Sequence, residues 1–378
     1  MANLQESLNS KYPTQKEKEQ IKKIVVSIGN RQKGIEGEEL NLKAYKNLEE
    51  VIINGDSLKS PLTKLELGNH SKLTRLNVES NRLTNLNVSG CPELVHFSAS
   101  FNELSSVDFL KQLPHPEKLK SLNIARNNFA PTTLDFLSPF TNLKGLTLGT
   151  KKEKIEQGIY NRFCGSLKPL KKLTELALLC IAGTDVDGGL EYLPLQKVSG
   201  YEGRLAPMLD CRPLVPQAKV KAIRNELRPF DYDVEAWQLT HPKKMLVAQP
   251  ELFFQDPNKE KWKKDLAQKL KKAEEDLTET RQNKLGRSEY QQSKLVKRKE
   301  SKLNLLQIAF QKLEQGKWED LPTKPASNDQ NEKKPFSDDN QPPPQKNVPS
   351  KEREKDNELG KMATIMVVGT IVAAGIIG

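Results

Sequence analysis

One leucine frame constrains this chain more than any other feature. Its cleanest copy is Leu73-x-x-Leu76-x-Val78-x-x-Asn81-x-Leu83. The frame recurs from Leu48 to Leu58 with Asp56 in the Asn position, from Leu94 to Leu104 with Asn102, and from Leu119 to Phe129 with Asn127. Leu143-x-x-Leu146-x-Leu148 and Leu173-x-x-Leu176-x-Leu178 begin two more copies and lose the Asn, and Leu190-x-x-Leu193-x-Leu195 reads as a degenerate last one. The starts are spaced by 25, 21, 25, 24 and 30 residues. A unit of this length cannot bury its apolar face alone, so the copies must stack into a solenoid with one continuous core.

The spacing also assigns roles within a unit. Leu76 and Val78 alternate inward along a short strand. Asn81 sits where the chain leaves the strand, and its amide can bond the backbone of neighbouring coils, so that stacked copies form a ladder. The half-period motifs Leu62–Leu67 and Leu83–Val88 leave a second register open. The concave strand is assigned to the copies with Asn or Asp at the turn. Val107–Leu110 and Leu134–Leu137 read as short helical or 3₁₀ arms.

In that register the side chains facing outward on the concave strands are Glu50, Ile52 and Asn54; Arg75, Asn77 and Glu79; His96, Ser98 and Ser100; Ser121, Asn123 and Ala125; Gly145, Thr147 and Gly149; and Glu175, Ala177 and Leu179. Most are small and polar. A nucleic-acid track needs many cations, and here Arg75 is the fixed one. The face suits hydrogen bonding to a protein or peptide, with Arg75, Asn77, Glu79, His96, Ser98, Ser100, Ser121 and Asn123 as the expected partner-binding residues.

The rest of the chain differs in kind. Residues 1–39 are a polar segment or cap, in which either Ile21–Ile28 is a short helix or Ile24–Ile28 is a first strand. The solenoid is expected over 40–200. Residues 201–258 hold Pro207, Pro213, Pro216, Pro229, Pro242, Pro250 and Pro257, a density that breaks long helices. They read as a cap with short helices at Lys219–Leu227 and Val234–Leu239 and with Trp237 in its core. Residues 259–319 contain no proline and carry apolar residues at helical spacing. They form either one interrupted coiled coil or a hairpin turning near Gly286, a possible means of self-association. Residues 320–361 have the composition of a disordered linker. Residues 362–378 carry no charge at all.

That last run is 17 residues, about 25 Å as a helix at ~1.5 Å per residue, near the short limit for a bilayer core of about 30 Å. It is expected to be a transmembrane tail anchor. Lys351, Arg353, Lys355 and Lys361 precede it and keep that end in the cytosol by the positive-inside rule. The first thirty residues lack an apolar run, so no secretory signal is expected. Cys91, Cys164, Cys180 and Cys211 form no CxxC pair, which suits a reducing compartment. The net charge is +11, of which residues 259–320 supply +6, from seventeen Lys and Arg against eleven Asp and Glu. Lys294, Lys297, Arg298, Lys299 and Lys302 are the densest cluster, read as a solvated helix face that could also meet anionic lipid or nucleic acid.

No P-loop, HExxH or GxSxG motif occurs, and Asp185 and Asp187 read as part of an inter-repeat turn. No enzyme activity, cofactor or metal is expected. The stretch LTRLNVESNRLTNLNVSGCPELVHFSASFNEL, Leu73–Leu104, resembles the LTxLxVSxNxLTxL type of leucine-rich repeat found in bacterial and some fungal proteins. The layout, with YDVEAWQLTHP at Tyr232–Pro242 between repeats and helices, is similar to multicopy proteins of mycorrhizal fungi and their bacterial endosymbionts. The resemblance implies an α/β solenoid with a curved parallel sheet and a protein-interaction role. It supplies no ligand and no catalytic residue.

Overall fold

A computed structural model describes residues 3–26, 36–194, 196–197, 204–205, 207–250, 256–283 and 286–321. The copies that start at Leu48, Leu73, Leu94, Leu119, Leu143 and Leu173 each become one coil, and their strands join an eight-stranded parallel sheet. In spatial order the strands are Lys23–Val26, Glu50–Ile53, Arg75–Asn77, His96–Ser98, Ser121–Asn123, Gly145–Thr147, Leu178–Cys180 and Met208–Asp210. Registers are direct: Glu50, Arg75, His96, Ser121 and Gly145 are aligned, as are Ile52, Asn77, Ser98, Asn123 and Thr147. Inward residues such as Leu76, Val78, Phe97, Leu122, Ile124, Leu146 and Leu148 are fully buried in one core. These features define a leucine-rich-repeat solenoid, with the concave strand in the Asn-bearing register.

The Asn residues form the ladder. Asn102 Nδ2 donates to the carbonyls of Val78 in the preceding coil and of Ala99 and Ser100 in its own, at 2.9, 3.1 and 3.2 Å, while its Oδ1 accepts from Leu83 N–H at 3.0 Å. Asn81 and Asn127 repeat the pattern. Every one of these carbonyls and amides is in the interior, where an unmet hydrogen bond is costly. Gly55 is required beside this ladder, because a Cβ there would lie 1.9 Å from the Ser80 carbonyl oxygen.

Four sequence expectations change. The coil after Leu148 does not lose its ladder residue. Asn161, carried by residues 151–169, which are inserted between the Leu143 and Leu173 copies and lengthen their spacing to 30, donates to the carbonyls of Ile124 and Leu148 at 3.0 and 2.6 Å and accepts from Asn127 N–H at 3.2 Å. The next coil is shifted by three residues: Leu176, Leu179 and Ile181 point inward, Thr184 takes the Asn position and donates to the Ile181 carbonyl at 2.8 Å, and Leu178 and Cys180 face outward in place of Ala177 and Leu179. Leu190–Tyr192 is a 3₁₀ turn rather than a last concave strand, and Met208–Asp210 supplies that strand from the proline-rich region. Asp185–Gly188 is a strand of a three-stranded sheet with Phe163–Ser166 and Thr132–Thr133, not a turn.

The N-terminal residues form two short helices, Leu4–Lys11 and Gln15–Gln20, each opened by a capping box from Asn3 with Glu6 and from Thr14 with Glu17. Of the two alternatives at residues 21–28, the strand is observed, at Lys23–Val26. The C-terminal cap holds helices Lys221–Leu227, Val234–Leu239 and Pro242–Ala248, with Trp237 wholly buried. Gln238 and Gln249 from this cap donate to the carbonyls of Leu190, Glu191 and Leu193 at 2.7–3.0 Å. They satisfy the end of the solenoid as an additional ladder residue would.

Helices Asp256–Gln282 and Glu289–Glu314 turn near Gly286 (φ +66) and run antiparallel, paired by Arg281–Glu300 at 2.8 Å and Lys299–Asp276 at 2.5 Å. The hairpin alternative is therefore the observed one. It packs on the cap through Trp262, whose Nε1 donates to the Leu239 carbonyl at 3.2 Å, and through an ionic cluster. Lys269 meets Asp233 and Glu235 at 2.9 and 2.5 Å, Lys302 meets Asp233 at 2.8 Å, and Arg298 meets Asp231 at 3.5 Å. Burial works against the Lys269 ammonium, but the two carboxylates outweigh it and hold its pKa above the ordinary lysine value. Arg298, Lys299 and Lys302 are thus mostly covered and paired, contrary to the solvated face expected of that basic cluster. Among the described residues no helix is long and apolar enough to cross a membrane. The uncharged run 362–378 and the linker 322–361 lie outside the described residues.

Two buried histidines make the fold sensitive to acid. Burial lowers the pKa of His70 and of His241, and the His241 ring stacks on Trp237 at 4.2 Å with Nδ1 donating to the Trp237 carbonyl. Both are favoured neutral in the folded state and titrate near 6.5 when unfolded. Their contribution is full above that pH and is lost as pH falls through it towards the lower folded values. The urea midpoint should therefore drop between pH 7 and pH 5, and a His70→Gln/His241→Gln protein should lose much of that drop. An equal drop in the variant would exclude the histidines as its source.

Candidate interaction face

The sheet uses the strands' backbone hydrogen bonds internally, so side chains decide what the concave face can bind. At its N-terminal end, Lys23, Glu50 and Arg75 form a chain of ion pairs at 3.0 and 3.3 Å. Arg75, expected as the fixed cation for a ligand, is thus half-buried and partnered by Glu50. His96 stands beside it. Burial first, then the Arg75 and Lys120 charges, lower its pKa and favour the neutral ring.

The centre is small and neutral. Asn77 Oδ1 and Asn123 Oδ1 accept from the backbone N–H groups of Glu79 and Ala125 at 3.0 and 3.2 Å, which fixes these side chains locally. Ser98 and Ser100 approach to 3.4 Å, and Ser100 is buried at 2% exposure. Ser121, Asn123 and Thr147 remain partly exposed, Thr147 between Gly145 and Gly149. The structure thus brings all eight expected residues onto one surface, of which Ser100 is available chiefly to Glu79. Burial pushes the Glu79 carboxyl above the usual range, against the opposing effects of Arg126 and of the Ser100 hydrogen bond.

The C-terminal end was misplaced by the register shift. It presents Leu178, Cys180 and Met208, the last 65% exposed, and then Asp210 in a two-point pair with Arg212 at 2.9 and 3.0 Å. Burial, then the Asp210 charge, raises the Cys180 thiol to about 12, so it is no nucleophile at neutral pH. All four cysteines are free. Among the described residues no three His, Cys, Asp or Glu side chains converge to hold a metal ion.

One row next to the face was missed from sequence. Ser80, Phe101 and Arg126 each precede a ladder Asn, and each has left-handed backbone (φ 61, 54 and 59). The Arg126 guanidinium lies 4.1 Å and the Lys151 ammonium 5.3 Å from the centre of the half-buried Phe101 ring. The available signal was the bulky residue at a turn position that usually suits Gly or Asn.

No protein-family model matches the chain, and no curated protein matches it. Among solved structures, internalin C2 of Listeria monocytogenes is similar at 15% identity and a TM-score of 0.29, over 46% of this chain and 76% of that one. The functional domain of InlJ from Listeria monocytogenes, which includes a cysteine ladder, is similar at 19% identity and a TM-score of 0.22, over 44% of this chain and 45% of that one. At these values neither carries weight for a ligand, and the fold class rests on the strand register and the Asn ladder.

Proposed function

We propose that this chain is a non-enzymatic interaction adaptor. Its concave sheet binds a protein or peptide, and residues 362–378 tether it to a membrane with the bulk of the chain in the cytosol. The observation that supports binding is the contiguous, rigid row Asn77, Ser98, Asn123 and Thr147, half-exposed and in register. Such a floor offers hydrogen bonds at little ordering cost. Proximity labelling from the full chain should identify a partner whose purified form loses at least about tenfold in affinity to Ser98→Arg/Asn123→Arg, the size expected of a blocked interface centre, with thermal stability unchanged. An unaltered affinity would place binding elsewhere. The tether is tested by fractionation: the full chain should sediment with membranes and Δ362–378 should not, and equal solubility of both would remove the tether.

The alternative, a nucleic-acid scaffold using residues 259–320, requires cations that are free to meet phosphate. The inward pairing of Arg298, Lys299 and Lys302 disfavours it. Self-association through the same helices would compete with the burial of Leu266, Leu306 and Leu313 within this chain.

A further inference from the structure

Four coils turn out of their strands through one left-handed residue, at Ser80, Phe101, Arg126 and Gly183, and Gly183 (φ +68) shows the unstrained solution. Phe101 and Arg126 take that conformation with full side chains, at a steric cost that glycine avoids. Strain of this kind persists where a displayed side chain has a use. The two residues belong to adjacent coils. Their side chains stack and are joined by Lys151 from the following coil, so one aromatic ring gathers two cations beside the floor. The acid facing Arg126 is Glu79, which is also near Asp56 and hydrogen-bonded to Ser100. Among the described residues the Lys151 ammonium has no carboxylate partner. Aromatic and Arg side chains held rigid at the edge of a binding face are the residue types that dominate interface energies.

We infer that the Phe101–Arg126–Lys151 cluster is the anchor of the interaction face and receives a carboxylate from an acidic segment of the partner protein, bridged between the two cations over the ring edge. This rests on the concave-face reading and places its strongest contact at the rim. Residues 151–156 set three lysines against Glu153 and Glu156, with Glu156 paired to Lys152 at 3.9 Å, so this flank keeps one net positive charge, that of Lys151 or Lys154.

Poly-L-glutamate is the probe, measured by fluorescence anisotropy on the full chain in mild detergent, with a single-stranded oligonucleotide of similar charge alongside. Arg126→Ala/Lys151→Ala should weaken poly-L-glutamate binding at least about tenfold. Lys294→Ala/Lys297→Ala, which removes the same charge from the hairpin, should change it less than about twofold. Equal losses from the two pairs, or no loss from the first, overturn the assignment. A loss confined to the oligonucleotide overturns the carboxylate in favour of phosphate. Phe101→Gly separates display from architecture: it should keep or raise the melting temperature while weakening the probe, whereas a lowered melting temperature with unchanged binding means that the ring serves only the fold. Failure of the concave reading is distinct: Ser98→Arg/Asn123→Arg would then spare partner binding even though the rim pair still abolishes poly-L-glutamate binding.

Discussion

Asn127→Ala should destabilise the chain by about 3–5 kcal/mol, read as a lowered urea midpoint at constant slope. The side chain is 1% exposed and makes four hydrogen bonds, from Nδ2 to the carbonyls of Ala99, Ile124 and Ala125 and from Leu104 N–H to Oδ1. Alanine leaves those backbone groups without a partner in a dry interior, at about 1–3 kcal/mol for each group not rescued by water or small shifts. Asn161→Ala should be of the same order, because Asn161 takes the equivalent place one coil on. A loss below about 1 kcal/mol at Asn161, with a large one at Asn127, would mean that the insertion only fills space.

The second large effect lies where the hairpin meets the cap. Lys269→Ala should cost about 3–5 kcal/mol, since it leaves the buried Glu235 without its cation and beside Asp233, which keeps Lys302 alone. Burial is what makes this site differ from a surface ion pair: Lys269 and Glu235 are 9% and 5% exposed. Replacing both partners, as Lys269→Met/Glu235→Leu, should recover most of the loss, because removing a desolvated pair as a unit is far less harmful than orphaning one member. Guanidinium melts of Lys269→Met, Glu235→Leu and the double variant form the cycle that decides this. If the double variant is as unstable as the single one, the cluster's value is geometric rather than electrostatic.

The first four Asn- or Asp-bearing coils were legible because, of the two registers that the half-period motifs leave open, one alone puts Asn or Asp at the turn. The coil at 173–184 was not. Leu173-x-x-Leu176-x-Leu178 and Leu176-x-x-Leu179-x-Ile181 satisfy the same spacing, and Thr184, which selects the second, donates like Asn but does not match the frame. Asn161 was hidden because an insertion breaks the sequence period while the spatial period continues. The face residues up to Ser100 and Asn123 followed from alternation along a strand. Phe101 and Arg126 lie one or more positions past the strand, where alternation no longer says which way a side chain points. The hairpin's charges looked solvated because the acidic partners of Lys269, Arg298 and Lys302, namely Asp231, Asp233 and Glu235, are more than thirty residues away in sequence, and that of Lys299, Asp276, is on the other helix. Charge clustering along a helix carries no information about such distant pairs.

The Gln238 and Gln249 closure has a mechanical consequence. The chain leaves the described region at Leu321, whose N–H donates to the Thr240 carbonyl at 3.0 Å, beside the Trp237 helix that carries Gln238. A pull on residues beyond Leu321 loads the hairpin and the cap in series before it reaches any repeat. Tension applied there is therefore expected to peel the closure from the final coil first, while the earlier coils stay locked by their own Asn residues.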